Sequence, residues 1–102
     1  EMGIKTAVGT GSNYDSCKYV LGTKNVLKYV DVIVSSDMVT HHKPHPETFT
    51  LAAEKMGQNV KECCVFEDGA LGIQAATAGG FDCVEVKEGE IVRYIRNNEQ
   101  ER

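Results

Sequence analysis

Short apolar runs alternate with amphipathic stretches along the chain, and this alternation constrains the fold more than any other feature. A run over residues 4–8 predicts a first strand, closed by the loop Gly9-Thr10-Gly11-Ser12. Ser12 or Asn13 is suited to cap a helix that carries Tyr14, Cys17, Val20 and Leu21 on one face. Gly22 weakens that helix, and its end falls anywhere up to Lys28. β-Branched Val32, Ile33 and Val34 mark a second strand over residues 30–34. A polar loop follows, and Pro46 sits where a helix accepts proline, at its first position. Phe49, Ala52, Ala53 and Met56 then form an amphipathic stripe that Gly57 stops. Residues 63–66 read as a third strand, apolar on both faces as a buried parallel strand is. A helix over 70–78 carries Ala75, Ala76 and Ala78, small enough to lie close against a sheet, and Gly79-Gly80 ends it. Residues 83–86 form a fourth strand. The charged tail over 88–102 contains Ile91, Val92, Tyr94 and Ile95, and the expectation there is a short helix.

This pattern predicts an α/β fold: a Rossmann-like parallel sheet with flanking helices over residues 1–87, followed by the tail. With 102 residues the chain makes one domain at most, and it shows no repeat or low-complexity tract. No apolar run approaches the roughly 20 residues of a membrane helix. Nothing marks the chain for secretion, and a cytoplasmic location is expected. Acidic residues outnumber basic ones 15 to 11, which argues against a nucleic-acid partner. Cys17, Cys63, Cys64 and Cys83 form no C-x-x-C pair, so neither a zinc ribbon nor a thioredoxin motif is present. They read as reduced, mostly buried thiols.

In an open parallel sheet, ligands bind beyond the carboxyl ends of the strands. The polar residues that follow the strands are Thr10, Gly11 and Ser12, then Lys43, then Glu67 and Asp68. A hydroxyl with backbone donors, an ammonium and two carboxylates on one rim suit a phosphate and a metal ion. Each alone has a plainer reading. The glycine loop is a common turn before a helix, Lys43 a solvated loop lysine, and Glu67-Asp68 a cap for the next helix. His41, His42 and His45 invite a metal-site reading. Pro44 disfavours a helix through them, so they are expected to be exposed or to line the substrate side.

The runs Ala7-Val8-Gly9-Thr10-Gly11-Ser12, Lys43-Pro44-His45-Pro46 with Phe49 beyond, Val65-Phe66-Glu67-Asp68 and Gly72-Ile73-Gln74-Ala75-Ala76 stand in order over residues 5–86. Together they resemble the haloacid dehalogenase superfamily, within it the branch of sugar phosphatases and β-phosphoglucomutase-like enzymes, and there bacterial fructose-1-phosphate phosphatases. The resemblance implies a Mg2+-dependent phosphohydrolase acting on a small phosphorylated metabolite, a sugar phosphate foremost. It implies that Thr10, helped by the Gly11 amide, binds the transferring phosphoryl group. Lys43 pairs with the phosphate and orients the nucleophile, and Asp68, with Glu67 directly or through water, anchors Mg2+.

One departure is large. The family's nucleophile is an aspartate in a D-x-D-x-[TV] motif at the end of its first strand, and this chain contains no D-x-D. Asp15, Asp31 and Asp37 lie in the wrong contexts to replace it. The resemblance therefore implies a partial core, lacking the family's first, central strand and its cap, and inactive alone. The missing strand belongs between the strands ending at Thr10 and at Glu67. The expected partners are a small phosphorylated substrate and, for the open sheet, the missing N-terminal segment or another copy of the chain. Membrane binding is not expected. Two alternatives remain: a β-phosphoglucomutase-like phosphotransfer isomerase, and a truncated, non-catalytic binding module.

Overall fold

The computed structural model describes residues 3–97. Its elements follow the expected alternation: β1 (Ala7–Gly9), α1 (Tyr14–Thr23), β2 (Val32–Val34), α2 (Glu47–Met56), β3 (Cys64–Glu67), α3 (Ala70–Ala78), β4 (Asp82–Lys87) and β5 (Glu90–Ile95), with short 3-10 turns between some of them. Asn13 caps α1, its side chain accepting the Ser16 amide at 2.8 Å. Pro46 stands one residue earlier than expected, at the cap of α2 rather than inside its first turn. Gly57 closes α2 in the left-handed region, at φ 69°, where a glycine carries no Cβ penalty.

Among the described residues the strands form two sheets. β1 pairs in parallel with β2, Val8 opposite Ile33. The Thr10 amide extends that ladder to the Val34 carbonyl at 2.9 Å. β3 pairs in parallel with β4, Val65 opposite Cys83. β1 begins at Ala7, later than expected: pairing defines a strand, and Ile4, 69% exposed, has no strand beside it among the described residues.

The helices join the halves. α2 packs against β1 and β2, α3 against β3 and β4, and α2 against α3. Phe49 and Ala53 of α2, Ala75 and Ala76 of α3, and Val65, Phe81 and Cys83 form one buried cluster between them. Phe81 is 2% exposed, and its ring meets Phe49 edge-on, centroids 6.2 Å apart. Between β1 and β3 the backbone edges face a groove of about 700 Å3. Residues 3–9 form one wall, residues 63–67 the other, and Phe49, Ala52, Ala53, Met56 and Phe81 its floor. This is where the resemblance locates the missing strand.

The tail departs from expectation. Residues 90–95 are a strand, not a helix: β5 runs antiparallel to β4, with Val86 opposite Ile91 and Lys87 opposite Glu90. Glu88 and Gly89 form the two-residue turn, at φ 52° and 81°. Two consecutive positive φ values are what a tight hairpin demands, and the following Ile91 and Val92 favour the pleat over the helix. The expectation for residues 98–102 lies outside the described residues. Among those described, no helix is long and apolar enough to cross a membrane.

Candidate active site

Lys43 joins the carboxyl ends of β1 and β3. Its ammonium donates to the Gly9 carbonyl at 3.3 Å and lies 3.6 Å from Glu67 Oε1. Both side chains are largely covered, 20% and 17% exposed, which strengthens the pair relative to one in open water. The same ammonium stands 5.0 Å from the centroid of the Phe49 ring, a cation–π contact that steadies its stem. An ammonium and a carboxylate separated by 24 residues thus meet beside the end of β1.

Glu67 is held from three sides. Oε1 faces Lys43, Oε2 accepts the Gly69 amide at 3.3 Å, and the stem lies on Gly72 of α3. A Cβ at position 72 would come within 2.1 Å of Glu67 Cδ. Gly72 is therefore a seat for the carboxylate, a role that its place in a helix, where glycine is disfavoured, hints at but does not specify. Asp68 follows, exposed, and among the described residues no hydrogen bond or ion pair engages its carboxylate.

Thr10 sits where β1 ends. Its Oγ1 accepts the Ser12 amide at 3.0 Å, so its own proton remains available to a ligand. Gly11 lies in the exposed bend that follows. Gly9 is a further constrained position: a Cβ there would meet Thr48 Cγ2 at 2.8 Å. Thr10, Lys43 and Glu67 follow or border the ends of adjoining elements, and Asp68 extends the set outward.

Asp15, Asp31 and Asp37 have other tasks. Asp15 lies in the first turn of α1, and Asp31 accepts the Thr6 amide before β2 begins. Asp37 accepts a hydrogen bond from the buried Ser35 hydroxyl, which holds its carboxyl below the ordinary aspartate range. His41, His42 and His45 are exposed. The carboxylate of Glu47 accepts the His41 amide at 2.8 Å and the Thr40 amide at 3.2 Å. These bonds lower its pKa and tie the Lys43 loop to the start of α2. Neither the seat at Gly72 nor the tether at Glu47 follows from spacing, because each depends on a contact with another turn of the chain.

A family model for haloacid dehalogenase-like hydrolases matches residues 1–80. The chain belongs to that family. It is 47% identical over 81 residues to the fructose-1-phosphate phosphatase YqaB of Escherichia coli, covering 79% of this chain and 43% of that protein. It is 32% identical over 84 residues to validoxylamine A 7'-phosphate phosphatase of Streptomyces hygroscopicus, covering 82% of this chain and 39% of that one. Among solved structures it resembles a Thermotoga maritima protein assigned as a beta-phosphoglucomutase, with a TM-score of 0.80 and 31% identity over 83% of this chain and 40% of that one. CbbY of Rhodobacter sphaeroides, solved in complex with phosphate, superposes with a TM-score of 0.74 at 28% identity, covering 82% and 39%. The chain thus spans less than half the length of the relatives it matches.

Proposed function

We propose that this chain is the phosphate- and metal-holding portion of a Mg2+-dependent phosphohydrolase that acts on a small phosphorylated metabolite, a sugar phosphate foremost. The observation that carries the reading is the Lys43 ammonium set between the Gly9 carbonyl and the Glu67 carboxylate at the ends of two facing strands. The likeness to two named phosphatases of phosphorylated small molecules supports it.

The residues present fit a hard cation. Glu67 and Asp68 offer only oxygen donors, and Asp68 is unengaged among the described residues. Bound there, Mg2+ would offset charge on the phosphoryl oxygens. Thr10 would donate its hydroxyl proton to one of those oxygens and the Gly11 amide would donate to another. Lys43 would neutralise part of the anion. Such preset donors cost no reorganisation as charge develops. The attacking carboxylate comes from a segment outside this sequence, lying in the groove between β1 and β3 with its end beside Thr10 and Lys43. A strand there would satisfy both bare edges at once.

The complete protein, assayed with fructose 1-phosphate and related sugar phosphates, is expected to release inorganic phosphate only with Mg2+, and Asp68→Asn to abolish the release. Conversion of a sugar 1-phosphate to its 6-phosphate without free phosphate would favour the isomerase. Neither product from any phosphorylated sugar would end the reading. Gly72→Ala, by displacing Glu67, is expected to raise the half-saturating Mg2+ concentration about tenfold, and an unchanged Mg2+ titration would remove the seat from the account.

A further inference from the structure

We infer that the loop carrying Lys43 contains a second cation site, in which His41, His45 and Glu47 bind one divalent transition-metal ion of the zinc or nickel class. Each of the three offers a ligand atom, and these atoms lie within 4.8 Å of one another. His41 Nδ1 and Glu47 Oε1 are 3.2 Å apart. Two ligands on one tetrahedral ion, with bonds of about 2.1 Å, stand about 3.4 Å apart. The imidazoles lie side by side, centroids 4.6 Å apart and planes 25° from parallel. His45 Nδ1 accepts the Glu47 amide, which leaves Nε2 as the ligand atom of that ring.

The backbone sets up this arrangement without an ion. Glu47 is fixed by the amides of Thr40 and His41. The amide of Glu47 donates to His45 Nδ1 at 3.1 Å. Pro44 does break any helix between the two histidines, but the turn in which the His45 amide meets the His42 carbonyl at 3.0 Å restores their proximity. Both rings are exposed, so water can complete the coordination sphere.

The chemistry differs from that of the rim. Two imidazoles and one carboxylate select borderline ions, whereas the oxygen-only pair of Glu67 and Asp68 suits Mg2+. Binding at His41 Nδ1 replaces the proton now shared with Glu47. In the neutral ring that proton moves to Nε2, and a protonated ring releases one proton to solvent. Occupation would clamp the segment on both sides of Lys43, so the site offers a means for a trace metal to act on the rim. This inference does not depend on the phosphohydrolase reading.

Calorimetric titration of Zn2+ into the complete protein, with only its exposed thiols alkylated in the folded state and Mg2+ in excess, tests it. One equivalent is expected to bind. His41→Ala and His45→Ala are each expected to weaken binding at least tenfold, and His42→Ala, which alters a neighbouring histidine outside the cluster, to leave it unchanged. All three side chains are exposed, and circular dichroism checks that each variant folds. With Co2+, wild-type protein is expected to give visible d–d bands that His41→Ala and His45→Ala lose. Absence of Zn2+ binding, equal binding by the His41 and His45 variants, or a loss in His42→Ala as large as in the others would each overturn the assignment.

Discussion

Lys43→Ala in the complete protein is expected to lower kcat/KM towards a phosphorylated sugar by about a hundred- to a thousandfold, the usual loss when one preset charge-stabilising donor is removed. The ammonium sits within reach of the Gly9 carbonyl and Glu67 and is mostly covered, so water replaces it poorly. The loss should fall on kcat at least as much as on KM, because a charge that balances the phosphoryl group matters most when that group is in transit. Lys43→Arg should rescue only in part. A planar fork does not occupy the place of a compact ammonium between a carbonyl and a carboxylate. Steady-state kinetics on the three proteins would decide the matter, and full activity in Lys43→Ala would remove the residue from the chemistry.

The second large effect is on stability. Phe81→Ala should cost about 3–5 kcal/mol, the range for deleting a buried aromatic ring. The ring is 2% exposed, packs edge-on against Phe49, and lies within 2.9 Å of where a Cβ on Gly79 would stand. It also floors the groove, so its loss would join a cavity to an opening that already exists. In the complete protein the melting midpoint should fall by about 6 °C or more. Thermal unfolding followed by circular dichroism measures it, and a midpoint within a few degrees of the parent would show that the groove's floor bears little of the packing.

Much of this arrangement was legible in the chain. The stripe Phe49, Ala52, Ala53 and Met56 places three buried residues and one half-buried one on a single face, and Gly57 ends the helix where a positive φ is required. Lys43 and Glu67 were legible as residues that follow strands, and they meet because the two parallel pairs, β1-β2 and β3-β4, bring the ends of β1 and β3 to one side. The tail misled for a physical reason. Ile91, Val92, Tyr94 and Ile95 are spaced acceptably for either period, and only the Glu88-Gly89 turn, which positions β5 against β4, separates the two. The contact between Glu67 and Gly72 and the tethers at Glu47 were illegible because they are made across the fold. Proximity of His41 to His45 was hidden by a proline that forbids a helix yet permits a turn.

The join between the two sheets has a mechanical consequence. α2 and α3 clasp each other on one side, while among the described residues β1 and β3 face each other across a seam with no ladder between them. Stiffness in such a body depends on direction: it resists sliding where the helices interlock and yields most easily to a spreading of the seam, until a strand lying there ties the two edges together.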